Sequence, residues 1–187
     1  MSSENLIVWG ALGAMLAGVA WIASGVIDVV VAGGQRNTSL QEVLFIVASA
    51  GTLAGLAGLD ARQAPRYGWL GKAGFLTAFI GSTLLMIGLV LSLVFEGRSS
   101  NVPDLVLALG LLGALVGLVL LGVGTLRAGV LPQWCGLLLI ICLPLSIGLG
   151  DYGGGIALGL IWLALGFILL THRDVSSAMV EGSGNRS

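Results

Sequence analysis

Residues 105–125 contain no charged side chain, and this run strongly restricts what the chain can fold into. As an α-helix rising about 1.5 Å per residue, it spans about 30 Å, which is the thickness of the hydrocarbon core of a bilayer. Composition leads to the same interpretation, because 57% of the residues are hydrophobic and only 9% are charged. Such a chain has too little polar surface to face water on all sides, so lipid must cover most of it.

Hydrophobic runs separated by short polar turns predict an all-α polytopic membrane protein, a six-transmembrane-helix bundle. One domain covers residues 1–174, and residues 175–187 are expected to form a flexible cytoplasmic tail. The predicted spans are residues 6–31, 40–59, 69–95, 105–125, 132–149 and 156–171.

Basic residues predict the orientation. With six spans both termini lie on one side, and that side carries six of the eight basic residues, namely Arg62, Arg66, Lys72, Arg127, Arg173 and Arg186. Arg36 and Arg98 lie on the other side. The positive-inside rule then places both termini in the cytoplasm of a bacterium, with the protein in the inner membrane.

Two turns on the predicted cytoplasmic side resemble each other, since both continue into Trp-x-Gly. Arg62 and Trp69 lie between spans two and three, and Arg127 and Trp134 lie between spans four and five. We interpret these four residues as interfacial anchors, with arginine at the phosphate level and tryptophan at the headgroup boundary. Because both hairpins run in the same sense, the repeat is parallel rather than inverted.

Small residues recur every seven positions along several spans, which places them on one stripe of each helix. Such stripes let helices approach closely in lipid, so they predict a tightly packed bundle. A second hypothesis is that one stripe, that of span four, faces lipid and mediates homo-oligomerisation. The stripe of span four consists of Gly110, Gly117 and Gly124.

Catalytic and metal-binding motifs are absent from the sequence. No ionisable residue falls in the middle third of any span, where proton relays and coupled carriers usually need one. His172 is the only histidine and cannot form a metal site alone, and Cys135 and Cys142 are interpreted as packing residues. The net charge of −1 gives no general basic surface for nucleic acid. We therefore expect no enzymatic activity, cofactor, metal or nucleic-acid partner.

Two features leave a ligand site open. Pro144 lies inside span five and should kink or break the helix, which is sometimes how a membrane protein forms a site. Asp28, Glu42 and Glu96 lie near the ends of spans on the predicted outer side. They form either a local salt-bridge cluster with Arg36 or a shallow vestibule that binds a cationic or polar ligand.

The turn Arg-x-Gly-x-Leu-Pro-x-Trp-x-Gly at residues 127–136 resembles one found in uncharacterised small multi-pass membrane proteins of high-GC bacteria, and this resemblance implies no activity. In size and topology the chain also resembles the substrate-binding S subunits of energy-coupling-factor vitamin transporters, whose polar pocket lies beneath a substantial outer loop. The outer loops here are short.

The sequence therefore favours a non-enzymatic binding or accessory subunit for lipid, a hydrophobic small molecule or a larger membrane complex. Its expected partners are membrane lipid and either a second copy or another membrane subunit. The alternative is an S-type subunit of a small-molecule transporter. An apolar cavity would favour the first interpretation, and a polar pocket open to the outside would favour the second.

Overall fold

Six α-helices account for nearly all of the described chain. The computed structural model describes residues 3–31, 38–63, 66, 68–94, 102–150 and 153–171, and these contain no β-strand. The prediction of an all-α chain is confirmed. The helices are α1 (Ser3–Val31), α2 (Thr38–Gln63), α3 (Trp69–Val94), α4 (Val102–Ala128), α5 (Gln133–Leu149) and α6 (Gly154–Thr171).

Five of these helices are long and apolar enough to cross a membrane, and α5, with 17 residues, is a shorter apolar helix. Large hydrophobic side chains such as Leu109, Leu112 and Val116 of α4 are exposed on the outside of the bundle. A contiguous apolar exterior of this kind is stable in lipid and not in water. Length, composition and exposure together indicate a multi-pass membrane protein.

The helices form a ring in chain order, since each packs against the next and α6 packs against α1. Neighbours run antiparallel, so the described helix termini lie at one of two ends of the bundle. We call one the basic end, defined by Arg62, Arg66, Lys72 and Arg127. We call the other the acidic end, defined by Asp28, Glu42 and Asp104.

Glycine gives the closest helix contacts, as the seven-residue spacing predicts. Between α3 and α4, a Cβ added to Gly110 would lie 2.6 Å from the backbone nitrogen of Leu85. A Cβ added to Gly117 or Gly124 would also lie less than 3.0 Å from a backbone atom of α3. The hypothesis that this stripe faces lipid is therefore wrong. The stripe is covered by α3 and is not available to a second copy of the chain.

The ring divides into two groups of helices that pack closely among themselves. In the first unit (α1, α2 and α6), α1 approaches α2 at Gly10 and Gly58 and approaches α6 at Gly18 and Gly159. In the second unit (α3, α4 and α5), α4 contacts both of its neighbours. The α2–α3 and α5–α6 contacts, which join the units, are less extensive than any other contact between neighbours in the ring.

Glycine also ends α4. Gly129 has φ +61, a backbone conformation that other residues rarely adopt, and its N–H donates to the Thr125 carbonyl at 3.3 Å. The predicted break at Pro144 is not found, because α5 is assigned as one continuous helix through it from Gln133 to Leu149.

Candidate functional site

A cavity of about 50 Å³ lies at the centre of the ring, and all six helices contribute to its wall. No lining residue is ionisable, and three of the ten carry a hydroxyl group. The cavity is therefore mostly apolar with a few polar groups, the usual character of a small-molecule site. Its lining residues are Trp21, Ser49, Thr52, Ser82, Leu85, Ala114, Leu118, Leu143, Leu158 and Trp162.

Two serine hydroxyls in the wall have no protein partner within the described part of the chain. Ser49 of α2 and Ser82 of α3 are each 7% exposed, and neither side chain makes a hydrogen bond to another described residue. Each hydroxyl can both donate and accept one or more hydrogen bonds. Both serines lie in the cavity wall, so their hydroxyls can hydrogen-bond a guest that carries a polar atom.

Two tryptophans shape the wall. The indole N–H of Trp21 points to the Thr52 hydroxyl at 3.5 Å, and its ring meets Phe45 edge-on at a centroid distance of 5.1 Å. Trp162 is 2% exposed and lies against Gly55, where a Cβ would be 2.8 Å from the indole ring. Because α2 carries glycine at position 55, the indole ring of Trp162 has room beside the cavity.

Among the described residues, charged groups lie toward the ends of the helices, away from the cavity. Asp28 at the acidic end accepts a hydrogen bond from Gln41, and Arg62 at the basic end donates to the Leu169 carbonyl at 3.1 Å. A bare ion in the apolar centre would therefore have no counter-charge, which is very unfavourable. The cavity is suited to an uncharged molecule.

None of the predicted ligand-binding residues that the structure describes lines this cavity. Asp28 and Glu42 lie at the acidic end, and Pro144 is adjacent to the lining residue Leu143 without lining the cavity itself. Glu96 and Arg36 lie outside the described residues. One partner of Asp28 is Gln41, a neighbour of Glu42 in α2.

The four predicted anchors all lie at the basic end. Trp69 and Trp134 are exposed, at 79% and 45%, and Arg127 is exposed as well. Arg62 differs, because it is half-buried and its guanidinium donates to the end of α6. The glycine two residues after each tryptophan explains the shared motif, since Gly71 packs against Gly124 of α4 and Gly136 packs against Gly122 of α4.

Sequence reasoning missed the residues that form the cavity. Two patterns in the sequence could have identified them. The first is tryptophan far from the helix ends, where anchoring at the membrane interface does not explain it. The second is a hydroxyl side chain in the middle of an apolar helix. Trp21 and Trp162 are of the first kind, and Ser49, Thr52 and Ser82 are of the second. Searching for ionisable residues alone overlooked both.

Among the described residues, no group of three or more His, Cys, Asp or Glu side chains could hold a metal ion. The two cysteines, Cys135 and Cys142, are buried and unpaired. No known protein family, curated protein or solved structure matches the chain. The cavity and its surroundings therefore carry the functional argument.

Proposed function

We propose that this chain is a non-enzymatic integral membrane protein that binds a small, uncharged and mostly apolar molecule in the central cavity. The observation that carries the proposal is the wall itself, in which apolar side chains and two tryptophans surround the hydroxyls of Ser49 and Ser82. A guest with an apolar body and one hydroxyl or carbonyl group would satisfy both parts of this wall.

The size of the cavity limits the ligand. At about 50 Å³ it is far below the range of about 300–1,000 Å³ typical of pockets for drug-sized ligands. A cavity of this size suits a small guest better than a lipid chain or a vitamin, and we keep the S-type transporter subunit as the alternative. Lipid enters the proposal as the solvent of the exposed apolar surface rather than as the occupant of the cavity.

The proposal includes six transmembrane spans in a bacterial inner membrane, with the basic end and both termini in the cytoplasm. The short helix α5 would cross the membrane where the bilayer is locally thinned around it, and this thinning costs only a modest free energy. Association with a second copy or with another membrane subunit also belongs to the proposal. Native mass spectrometry in a mild detergent would count the subunits.

Xenon tests the cavity because it binds in small apolar cavities without any need for polar recognition. We expect xenon NMR of the protein in nanodiscs to show a saturable, protein-dependent signal. Ser82→Val should strongly reduce this signal, because the extra methyl group takes up part of a cavity of only about 50 Å³.

Ser92→Val is the matched control. It makes the same change on the same helix, at an exposed position whose hydroxyl donates only to the Leu89 carbonyl of its own helix. It should leave the xenon signal unchanged. Equal signals from wild type, Ser82→Val and empty nanodiscs would refute binding in the cavity.

A further inference from the structure

Several hydroxyl groups in the described helices donate a hydrogen bond to a carbonyl about one turn back in their own helix. Thr83, Ser92, Thr125 and Thr171 do so, at distances between 2.7 and 3.0 Å. This arrangement gives the hydroxyl proton an acceptor inside an apolar helix. A hydroxyl that makes this bond has no need of a further acceptor for its proton.

The three hydroxyls of the cavity wall lack this bond. Ser49, Thr52 and Ser82 line the cavity, and none of them donates to a described residue. Ser82 differs in this way from Thr83, its immediate neighbour in α3, whose hydroxyl donates to the Phe79 carbonyl. Three hydroxyl protons are therefore available to a guest in the cavity.

Trp21 gives the Thr52 hydroxyl a defined role. An indole N–H can only donate, so in the 3.5 Å contact between the two side chains the threonine oxygen is the acceptor. The Thr52 hydroxyl keeps its own proton, and accepting a hydrogen bond strengthens the bond that it donates in turn. Thr52 is therefore held as a donor beside the cavity.

The wall offers a guest no group that only accepts hydrogen bonds. None of the ten lining side chains carries a carboxylate, an amide or an imidazole. All ten positions lie in helices, where backbone carbonyls are hydrogen-bonded along the helix. A carbonyl oxygen suits this wall, because it can accept two of the hydroxyl protons and brings no proton that needs an acceptor.

The volume of the cavity narrows the choice of guest further. An apolar cavity of about 150 Å³ holds one benzene molecule, which has six carbon atoms. The cavity described here has about 50 Å³, a third of that volume, which gives room for about two or three non-hydrogen atoms.

We propose that the guest is a carbonyl compound of one or two carbon atoms, such as a small aldehyde, whose oxygen accepts hydrogen bonds from Thr52 and from a serine of the wall. Trp21 is the positioning residue that holds Thr52 in place. This inference rests on the proposed binding of a small uncharged molecule and adds the chemical class of the guest and the residue that selects it. Binding is reversible and involves no covalent step.

Two rod-shaped probes of nearly equal size test the inference. Acetonitrile and propyne both have three non-hydrogen atoms, but only acetonitrile ends in a nitrogen that accepts hydrogen bonds. Their dissociation constants are measured on the full chain in nanodiscs, by displacement of bound xenon. Comparing the ratio of the two constants between variants cancels the different solubility of the probes in lipid.

Thr52→Val replaces the hydroxyl by a methyl group of similar size, so the cavity should still bind xenon and propyne. We expect this variant to weaken the binding of acetonitrile relative to propyne by about tenfold, the order of effect of one hydrogen bond. Trp21→Phe removes the indole N–H and leaves the Thr52 hydroxyl free to turn. It should change the ratio in the same direction by a smaller factor.

Thr83→Val is the matched control. It makes the same change on α3, at a hydroxyl that donates to the Phe79 carbonyl and does not line the cavity. The ratio of the two dissociation constants should equal that of the wild type.

Three outcomes would overturn the inference: no displacement of xenon by acetonitrile, an unchanged ratio in Thr52→Val, or an equal change in Thr83→Val. Each of them, together with xenon bound in the wild type, would leave a protein that binds small apolar guests without selecting a carbonyl group. Absence of bound xenon from the wild type would instead refute the proposed function, and this inference with it.

Discussion

Gly117→Ala is expected to be among the most destabilising single-methyl substitutions in this protein. The added Cβ would overlap the backbone of Ala78 in α3, and it would lie 2.7 Å from the carbonyl carbon of Thr77. The overlapping atoms of α3 belong to the backbone, so no side-chain rotation relieves the clash and the two helices must move apart. Overpacking of this kind costs typically 1–3 kcal/mol, and we expect about 3 kcal/mol here because backbone atoms are in the way.

Thermal unfolding in detergent measures the effect, and the melting temperature should fall by about 6 °C or more. Gly148→Ala is the matched control: Gly148 lies in α5 with nothing within 4 Å of its added Cβ. Alanine favours a helix over glycine by about 1 kcal/mol, so this variant should be slightly more stable than wild type. If the two variants melted alike, α3 and α4 would not be packed as described.

Trp162→Ala is expected to have the second-largest effect. Trp162 is among the largest fully buried side chains and lines the cavity. Replacing a buried Trp by Ala typically costs 3–5 kcal/mol in proteins that unfold into water. We expect about 3 kcal/mol, because a side chain released into lipid stays in an apolar solvent and the cost is mainly lost packing.

The space left by the removed indole ring of Trp162 should accept a molecule of the same shape. Enlarged apolar cavities bind small aromatic molecules, and a ligand that binds only the folded state raises its stability. Indole should therefore restore part of the melting temperature that Trp162→Ala loses. Trp9→Ala is the control, since Trp9 is 64% exposed on the outside of α1. A rescue of both variants, or of neither, would show that the Trp162 site does not take up a guest.

Much of the helical architecture follows from sequence because it depends on composition over long runs. An uncharged segment such as 105–125 has few alternatives in lipid, where backbone polar groups must hydrogen-bond internally. The ends of the helices are harder to predict. Helix α2 continues past Leu59 to Gln63. Arg62 in its last turn donates a hydrogen bond to the Leu169 carbonyl of α6, a helix far away in sequence.

The glycine stripes show which structural information a seven-residue spacing provides and which it does not. A spacing of seven identifies residues on one face, and close packing along these faces was predicted correctly. The spacing does not identify the partner, however. The second hypothesis placed the stripe of α4 toward lipid, whereas Gly117 packs against Ala78 of α3. Deciding between the two needs the rotation of α4 within the bundle, which a single sequence does not fix.

The cavity could not be predicted for a related reason. Its wall takes residues from six helices that are far apart in sequence, such as Trp21 and Leu143, and each is unremarkable in its own helix. The predicted site residues were ionisable or helix-breaking ones, and those that the structure describes do not line the cavity. Asp28 pairs with Gln41, and α5 continues through Pro144.

Diffraction from crystals pressurised with xenon is the most direct test of the central claim that this protein holds a small uncharged guest at the centre of its ring. We predict a xenon peak in the cavity, in contact with Trp21, Ser82 and Leu143, which belong to three different helices. Xenon found only in grooves on the lipid-facing surface, with the centre of the ring closed by side chains, would contradict the account.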